Sequence, residues 1–225
     1  MMRLFVIFLT VVILAVGGDT FKRYDIESGY VKYKMEMKSS AGNSLNMRMS
    51  GTKTIKFKDY GAKEISEEET TFTQNILGKT TTEKSHKMTL MDSGKVYAVD
   101  FNSKTVYEMP NMGGALAGVN GRDMQTLGLD MLKKMGGKKI GTDKVLGYEC
   151  DVWEISGTTK FHIYTYKGVL LKIETNMAGS KTEQVAVEAK FGIDINDNEF
   201  KLPDFPKRDV SKMMEQMGNM MDMAQ

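Results

Sequence analysis

From Lys138 to Phe191 the chain repeats one pattern, strand after strand: apolar residues at every second position. Val169, Leu171, Ile173, Thr175 and Met177 alternate with Leu170, Lys172, Glu174 and Asn176. Glu183, Val185, Val187, Ala189 and Phe191 alternate with Gln184, Ala186, Glu188 and Lys190. Successive side chains of a strand point to opposite faces, so each run yields an apolar row and a wet row. Tight turns containing Gly and Lys join the runs, and neighbours joined this way are antiparallel. Several such strands in succession make a curved sheet with one apolar face. What covers or fills that face is the functional question.

The same period runs through the first half. Val31, Tyr33, Met35 and Met37 alternate with Tyr30, Lys32, Lys34, Glu36 and Lys38, and Ala41-Gly42-Asn43 reads as a turn. Leu45, Met47, Met49, Ile55 and Phe57 mark a second long strand, with Gly51 as a candidate bend or bulge and Asp59-Tyr60-Gly61 as its end. Residues 62–74, rich in Glu, read as an exposed strand. Thr80 to Met91 follows with His86, Met88 and Leu90 on one side. Gly94 to Met109 is a hairpin turning at Asn102-Ser103.

Two stretches change period. Met124, Leu127, Met131, Leu132 and Met135 recur at helical spacing ahead of Gly136-Gly137. Val210, Met213, Met214, Met217, Met220, Met221 and Ala224 do the same in a tail helix opening near Asp209. The expected fold is therefore mainly β, in the α+β class. About eleven strands form a strongly curved antiparallel sheet, or incomplete β-barrel, covered by two amphipathic helices. The expected organisation is a leader over residues 1–18, a half-barrel domain over 19–206 and a Met-rich amphipathic helix over 207–225.

The leader reading rests on a basic head at Arg3, an apolar run from Leu4 to Val16 interrupted by Thr10, and small residues at Ala15-Val16-Gly17. A bilayer-spanning helix needs about 18 or more apolar residues, so the run suits a cleaved signal peptide better than an anchor. The mature protein is expected to be exported, to a periplasm or an equivalent compartment.

The formal charge of +2 gives no concentrated basic field for nucleic acid. Cys150 is the one cysteine, which excludes an internal disulfide and a multi-cysteine metal cluster. On its strand it reads as a small core residue, and the neighbouring Val152 and Trp153 imply a bulge or burial of both faces. His86 and His162 lack ligand spacing and read as satisfied strand residues. Glu67, Glu68 and Glu69 alternate across a strand, which suits a solvated edge and not an acid–base pair. No nucleophile elbow, zinc-binding HExxH, phosphate loop or dinucleotide fingerprint is present. The expectation is a protein that is not an enzyme and needs no cofactor or metal.

Twenty methionines are the conspicuous excess. Met is flexible and polarizable, and it recurs where a surface adapts to variable apolar partners. Burial of each methylene of an acyl chain is worth about 0.8 kcal/mol, so a lipid or lipoprotein acyl chain could be held without a precise polar contact. The expected lining is Val31, Tyr33, Met35 and Met37 from the first strand and Met47, Met49 and Phe57 from the second. Val169, Leu171, Ile173 and Met177 complete it from the late sheet. The stretch Asn120 to Met135, or the tail, would act as lid, and a membrane-associated partner is compatible with such a carrier. Two other readings stay open. The tail methionines could hold Cu(I), a soft ion suited to thioethers, or the domain could be a filled interaction module without ligand.

The hairpin Asp92-Ser93-Gly94-Lys95-Val96-Tyr97-Ala98-Val99-Asp100 resembles a hairpin of the periplasmic outer-membrane lipoprotein carrier (Lol-type) superfamily. Gly141, Val145 and Gly147-Tyr148-Glu149-Cys150-Asp151-Val152, with the closing Phe200-Lys201-Leu202-Pro203, are similar to exported relatives of that superfamily. The resemblance implies an incomplete antiparallel barrel, covered by helices, with a hydrophobic cavity for acyl chains.

Overall fold

The computed structural model describes residues 22–41, 45–92, 95–109, 136–155, 160–177 and 180–210. The first half forms β1 (Gly29–Ala41), β2 (Leu45–Lys58), β3 (Lys63–Ile76), β4 (Lys79–Asp92), β5 (Lys95–Asp100) and β6 (Thr105–Met109). The second half forms β7 (Gly137–Val145), β8 (Tyr148–Ile155), β9 (Lys160–Tyr166), β10 (Val169–Met177), β11 (Ser180–Phe191) and β12 (Lys207–Asp209). All belong to one open, curved sheet in the order β12-β6-β5-β4-β3-β2-β1-β11-β10-β9-β8-β7. Two antiparallel meanders, β1 to β6 and β7 to β11, are thus sewn together where β1 pairs with β11.

The curl can be read from distances. On a flat sheet β8 and β11 would lie about 14 Å apart, at close to 4.8 Å per spacing. Yet the Tyr148 ring of β8 meets the Phe191 ring of β11 edge-on at 5.1 Å between centroids, and the Tyr148 hydroxyl donates to the Ala189 carbonyl at 3.4 Å. Two bulges supply the bend, one where β1 and β11 shift register at Lys32/Tyr33, the other at Leu170/Lys172 in β10. A bulge adds a residue to one strand and steepens the local twist. Tyr33 fastens the second by donating its hydroxyl to the Leu170 carbonyl at 2.6 Å.

Residues ahead of β1 close one end of the curl. The N–H groups of Arg23 and Tyr24 donate to the Tyr60 carbonyl at 2.8 and 3.0 Å, and Asp25 N–H donates to the Lys167 carbonyl at 3.0 Å. They therefore tie the β2–β3 turn to the β9–β10 turn.

The sheet has two apolar sides. Val31, Tyr33, Phe57, Val169, Leu171 and Ala186 pack with Tyr24, Cys150, Val152 and Tyr164 in the main core. Ile65 and Leu90 face the opposite way and pack with Ile195 and Phe200. The chain beyond β11 is a strap across that far side, held by Lys58 to Asp197 at 2.7 Å, Lys63 to Asp197 at 3.2 Å and Lys56 to Glu199. It ends as β12, parallel to β6, and so covers an edge whose N–H and C=O groups would otherwise be open to another chain.

Several expectations change. Among the described residues there are twelve strands where about eleven were expected, and Lys207–Asp209, within the stretch read as tail helix, is a strand. Both expected helices, over Asn120 to Met135 and through the tail, fall outside the described residues, as does the leader. Among the described residues the helical elements are the 3-10 turns Asp59–Gly61 and Asp197–Glu199. β3 is an interior strand between β2 and β4, not a solvated edge. Gly51 is no bulge, because β2–β3 register runs unbroken through it. Glycine is required there for closeness: a Cβ would sit 2.3 Å from the Glu69 carbonyl oxygen. Val152 and Trp153 are both buried, and the bulge lies opposite them, between Lys139 and Gly141 of β7.

Gly51→Val is expected to lower stability by about 1–3 kcal/mol, the usual cost of overpacking. Urea denaturation read by tryptophan fluorescence measures it, and an unchanged midpoint would contradict the close approach of β3.

Candidate functional site

Register alone sorts the core face into zones, because directly opposed residues of neighbouring strands share a face. Taken across β1, β2 and β3, the rungs read Met37–Met49–Phe72, Met35–Gly51–Thr70, Tyr33–Lys53–Glu68, Val31–Ile55–Ser66 and Gly29–Phe57–Glu64. The face is therefore rich in thioether at one end, charged in the middle and aromatic at the other.

The methionine end is a cluster of Met35, Met37 and Met49 at 1%, 9% and 7% exposure, with Met47 and Phe72 packed against it. It is separate from the main core. From Lys53 to Met49 the strand covers about 13 Å at 3.3 Å per residue.

The opposite end is packed with rings. Phe57 meets Tyr24 at 4.5 Å and Phe191 at 6.5 Å between ring centroids, both tilted. Cys150 belongs to this packing, and burial pushes its thiol above the ordinary range, so it is a core residue with little thiolate character.

Within this aromatic end lies a polar group with no counterpart in the sequence reading. Glu64, buried within β3, accepts from Arg23 Nη1 at 3.1 Å through Oε1 and from the Tyr24 hydroxyl at 2.6 Å through Oε2. Burial alone would discourage the Arg23 charge, but Glu64 alongside it outweighs that and raises the guanidinium's pKa. Tyr24 and Tyr33 are pushed well above the ordinary phenol range, by burial first. The Arg23 Nε is buried without a partner among the described residues. Lys53 is half-buried on the same face, and burial holds its ammonium below the usual lysine range, against the pull of Glu68 and Glu64.

The expected lining residues divide between these zones. Val31, Tyr33, Phe57, Val169 and Leu171 belong to the packed core. Met35, Met37, Met47 and Met49 come together in the methionine cluster. Ile173 is half-buried on β10, and Met177 ends that strand with its side chain outside the described part. The tail methionines, the alternative Cu(I) ligands, also lie outside the described residues. A groove of about 650 Å³ is lined mostly by polar residues, among them Ser50, Thr52, Thr71, Lys84 and His86, with Tyr33 and Met35 at one wall. His86 is held by Glu67 at 2.6 Å and stacks on Phe101 at 3.9 Å. His162 meets Glu154 at 3.1 Å. Both are satisfied strand residues.

Sequence reasoning missed Arg23, Tyr24, Lys53 and Glu64. For Lys53 a signal existed, since it stands on the apolar phase of Met47, Met49, Ile55 and Phe57.

No family model matches the chain, and no curated protein matches it. Solved structures do. An uncharacterized conserved protein from Thermus thermophilus is similar at 8% identity and a TM-score of 0.44, over 80% of this chain and 90% of that one. LprF from Mycobacterium bovis is similar at 8% identity and 0.33, over 80% and 91%. A domain assigned as an outer membrane lipoprotein-sorting protein, from Vibrio parahaemolyticus, is similar at 14% identity and 0.27, over 80% and 92%.

Removing the charge of Glu64 leaves the Arg23 guanidinium buried and unpaired, so Glu64→Gln is expected to cost about 3–5 kcal/mol. Tyr24→Phe removes one hydrogen bond to a charged group and should cost only about 1.5–3 kcal/mol. Chemical denaturation of both variants tests the order, and equal losses would contradict it.

Proposed function

We propose that this is an exported, non-enzymatic binding protein that holds an acyl chain, from a lipid or a lipoprotein, along the methionine end of its core face. The observation that carries the reading is the cluster of Met35, Met37 and Met49 with Met47 and Phe72, apart from the ring-packed core. Interlocked rings leave no room to adapt, because interiors pack as densely as organic crystals. Thioethers on unbranched side chains can rearrange around a variable chain. The open sheet keeps that end separate from the tied end, so loading need not disturb the fold's own core. In this reading delivery involves a membrane-associated partner.

The test is uptake of a fluorescent fatty acid by wild type and by Met49→Asp. A carboxylate in the centre of the cluster is costly to desolvate beside an acyl chain, so affinity is expected to fall at least tenfold. Circular dichroism confirms that the variant remains folded. Unchanged uptake by a folded variant would remove the methionine cluster from the binding site.

A further inference from the structure

The acyl-chain reading leaves the nature of the head group open, and the middle of the core face bears on it. Lys53 shares its strand phase with Met49 and Phe57, which face the methionine cluster and the ring core, and it stands opposite Tyr33 on one side and Glu68 on the other. A lysine at such a boundary is normally neutralised, because a charge withdrawn from water is expensive unless it is paired. Lys53 forms no ion pair with any described residue.

Two of the nearby acceptors are already engaged. Both oxygens of Glu64 are taken, by Arg23 and by the Tyr24 hydroxyl. The Tyr33 hydroxyl is committed to the Leu170 carbonyl. Glu68 lies between two lysines in register, Lys53 on β2 and Lys87 on β4. Beyond Lys87 the rung continues to Asp100, whose Oδ1 accepts the backbone N–H groups of Asn102 and Ser103 at 2.8 and 3.1 Å in the β5–β6 turn. On the aromatic side of Lys53, the Arg23 Nε is a second buried donor without a partner among the described residues.

We infer that the bound molecule is a single-chain amphiphile with a small anionic head, a carboxylate or a phosphate monoester. Its head is received by Lys53 and its chain runs toward Met35, Met37 and Met49. The inference rests on the acyl-chain reading and adds the head-group chemistry to it. Geometry favours this direction, since the ring core blocks the other side of Lys53 and the apolar rungs lie on this one. The anion would give Lys53 a partner at contact distance, in addition to the longer-range pull of Glu68 and Glu64. Arg23 keeps its place as the partner of Glu64 and closes the end of the site.

The experiment compares oleate, a monoalkyl phosphate of the same length and oleyl alcohol by calorimetry, with wild type, Lys53→Met and Lys53→Arg. Expected for wild type is at least tenfold tighter binding of one or both anions than of the alcohol. The tighter of the two identifies the carboxylate or the phosphate as the natural head. Lys53→Met should bring the anion down to the affinity of the alcohol, whereas Lys53→Arg should keep the preference, which a variant damaged only in folding would not do. Equal binding of anions and alcohol by wild type would overturn the inference and leave the acyl-chain site standing, as would a preference that survives Lys53→Met. Failure of all three ligands to bind would overturn both.

Discussion

The short segment ahead of β1 is the tie on which the rest depends. It hydrogen-bonds to the β2–β3 turn through the Tyr60 carbonyl and to the β9–β10 turn through the Lys167 carbonyl, two places widely separated in strand order. Sheets twist of their own accord, but holding opposite regions of one sheet together needs a link across the opening. Arg23 and Tyr24 provide that link and fill the space beneath it, the one with a charge shared with Glu64, the other with a ring on Phe57. Gly168 leaves room for the segment to pass, since a Cβ there would stand 3.2 Å from the Arg23 carbonyl oxygen.

A sheet tied at one end and open along its length has unlike ends. At the tied end, aromatic rings from β2, β8, β9 and β11 pack against one another. Away from it, β1 and β2 carry methionine on the same face. The strap behind the sheet adds rigidity from the other side, through Ile195 and Phe200 against Ile65 and Leu90. Stability and adaptability are thereby assigned to different stretches of the same strands. A binding protein benefits from this division, because a ligand can rearrange one region while the other keeps the fold.

Much of the fold was legible because period-two alternation is a local property. The strands Gly29–Ala41 and Leu45–Lys58, the hairpin of Lys95–Asp100 with Thr105–Met109, and the series from β7 to β11 follow directly from it. What alternation does not encode is which strands meet. The junction of β1 with β11 pairs residues more than a hundred positions apart, and only coordinates show it. Glu64 illustrates the same limit. Its neighbours in sequence suggested a solvated row, yet its partners come from a segment about forty residues earlier. The outward row was also harder to read than the inward one. His86, Met88 and Leu90 formed a recognisable apolar phase, but the strap that covers Leu90 returns from the far end of the chain. The expected lining was a single set in sequence because its members share one phase; packing divides it, since rings and thioethers on that phase have different neighbours.

The central claim is that the methionine end of the core face accepts an acyl chain while the ring-packed end does not move. Methyl NMR of protein labelled at its methionine methyl groups, titrated with a single-chain amphiphile, tests this directly. The account predicts shifts concentrated at Met35, Met37, Met47 and Met49, with Met88, on the strap side, unchanged. A titration in which those four stay fixed, or in which Met88 moves and they do not, would contradict it.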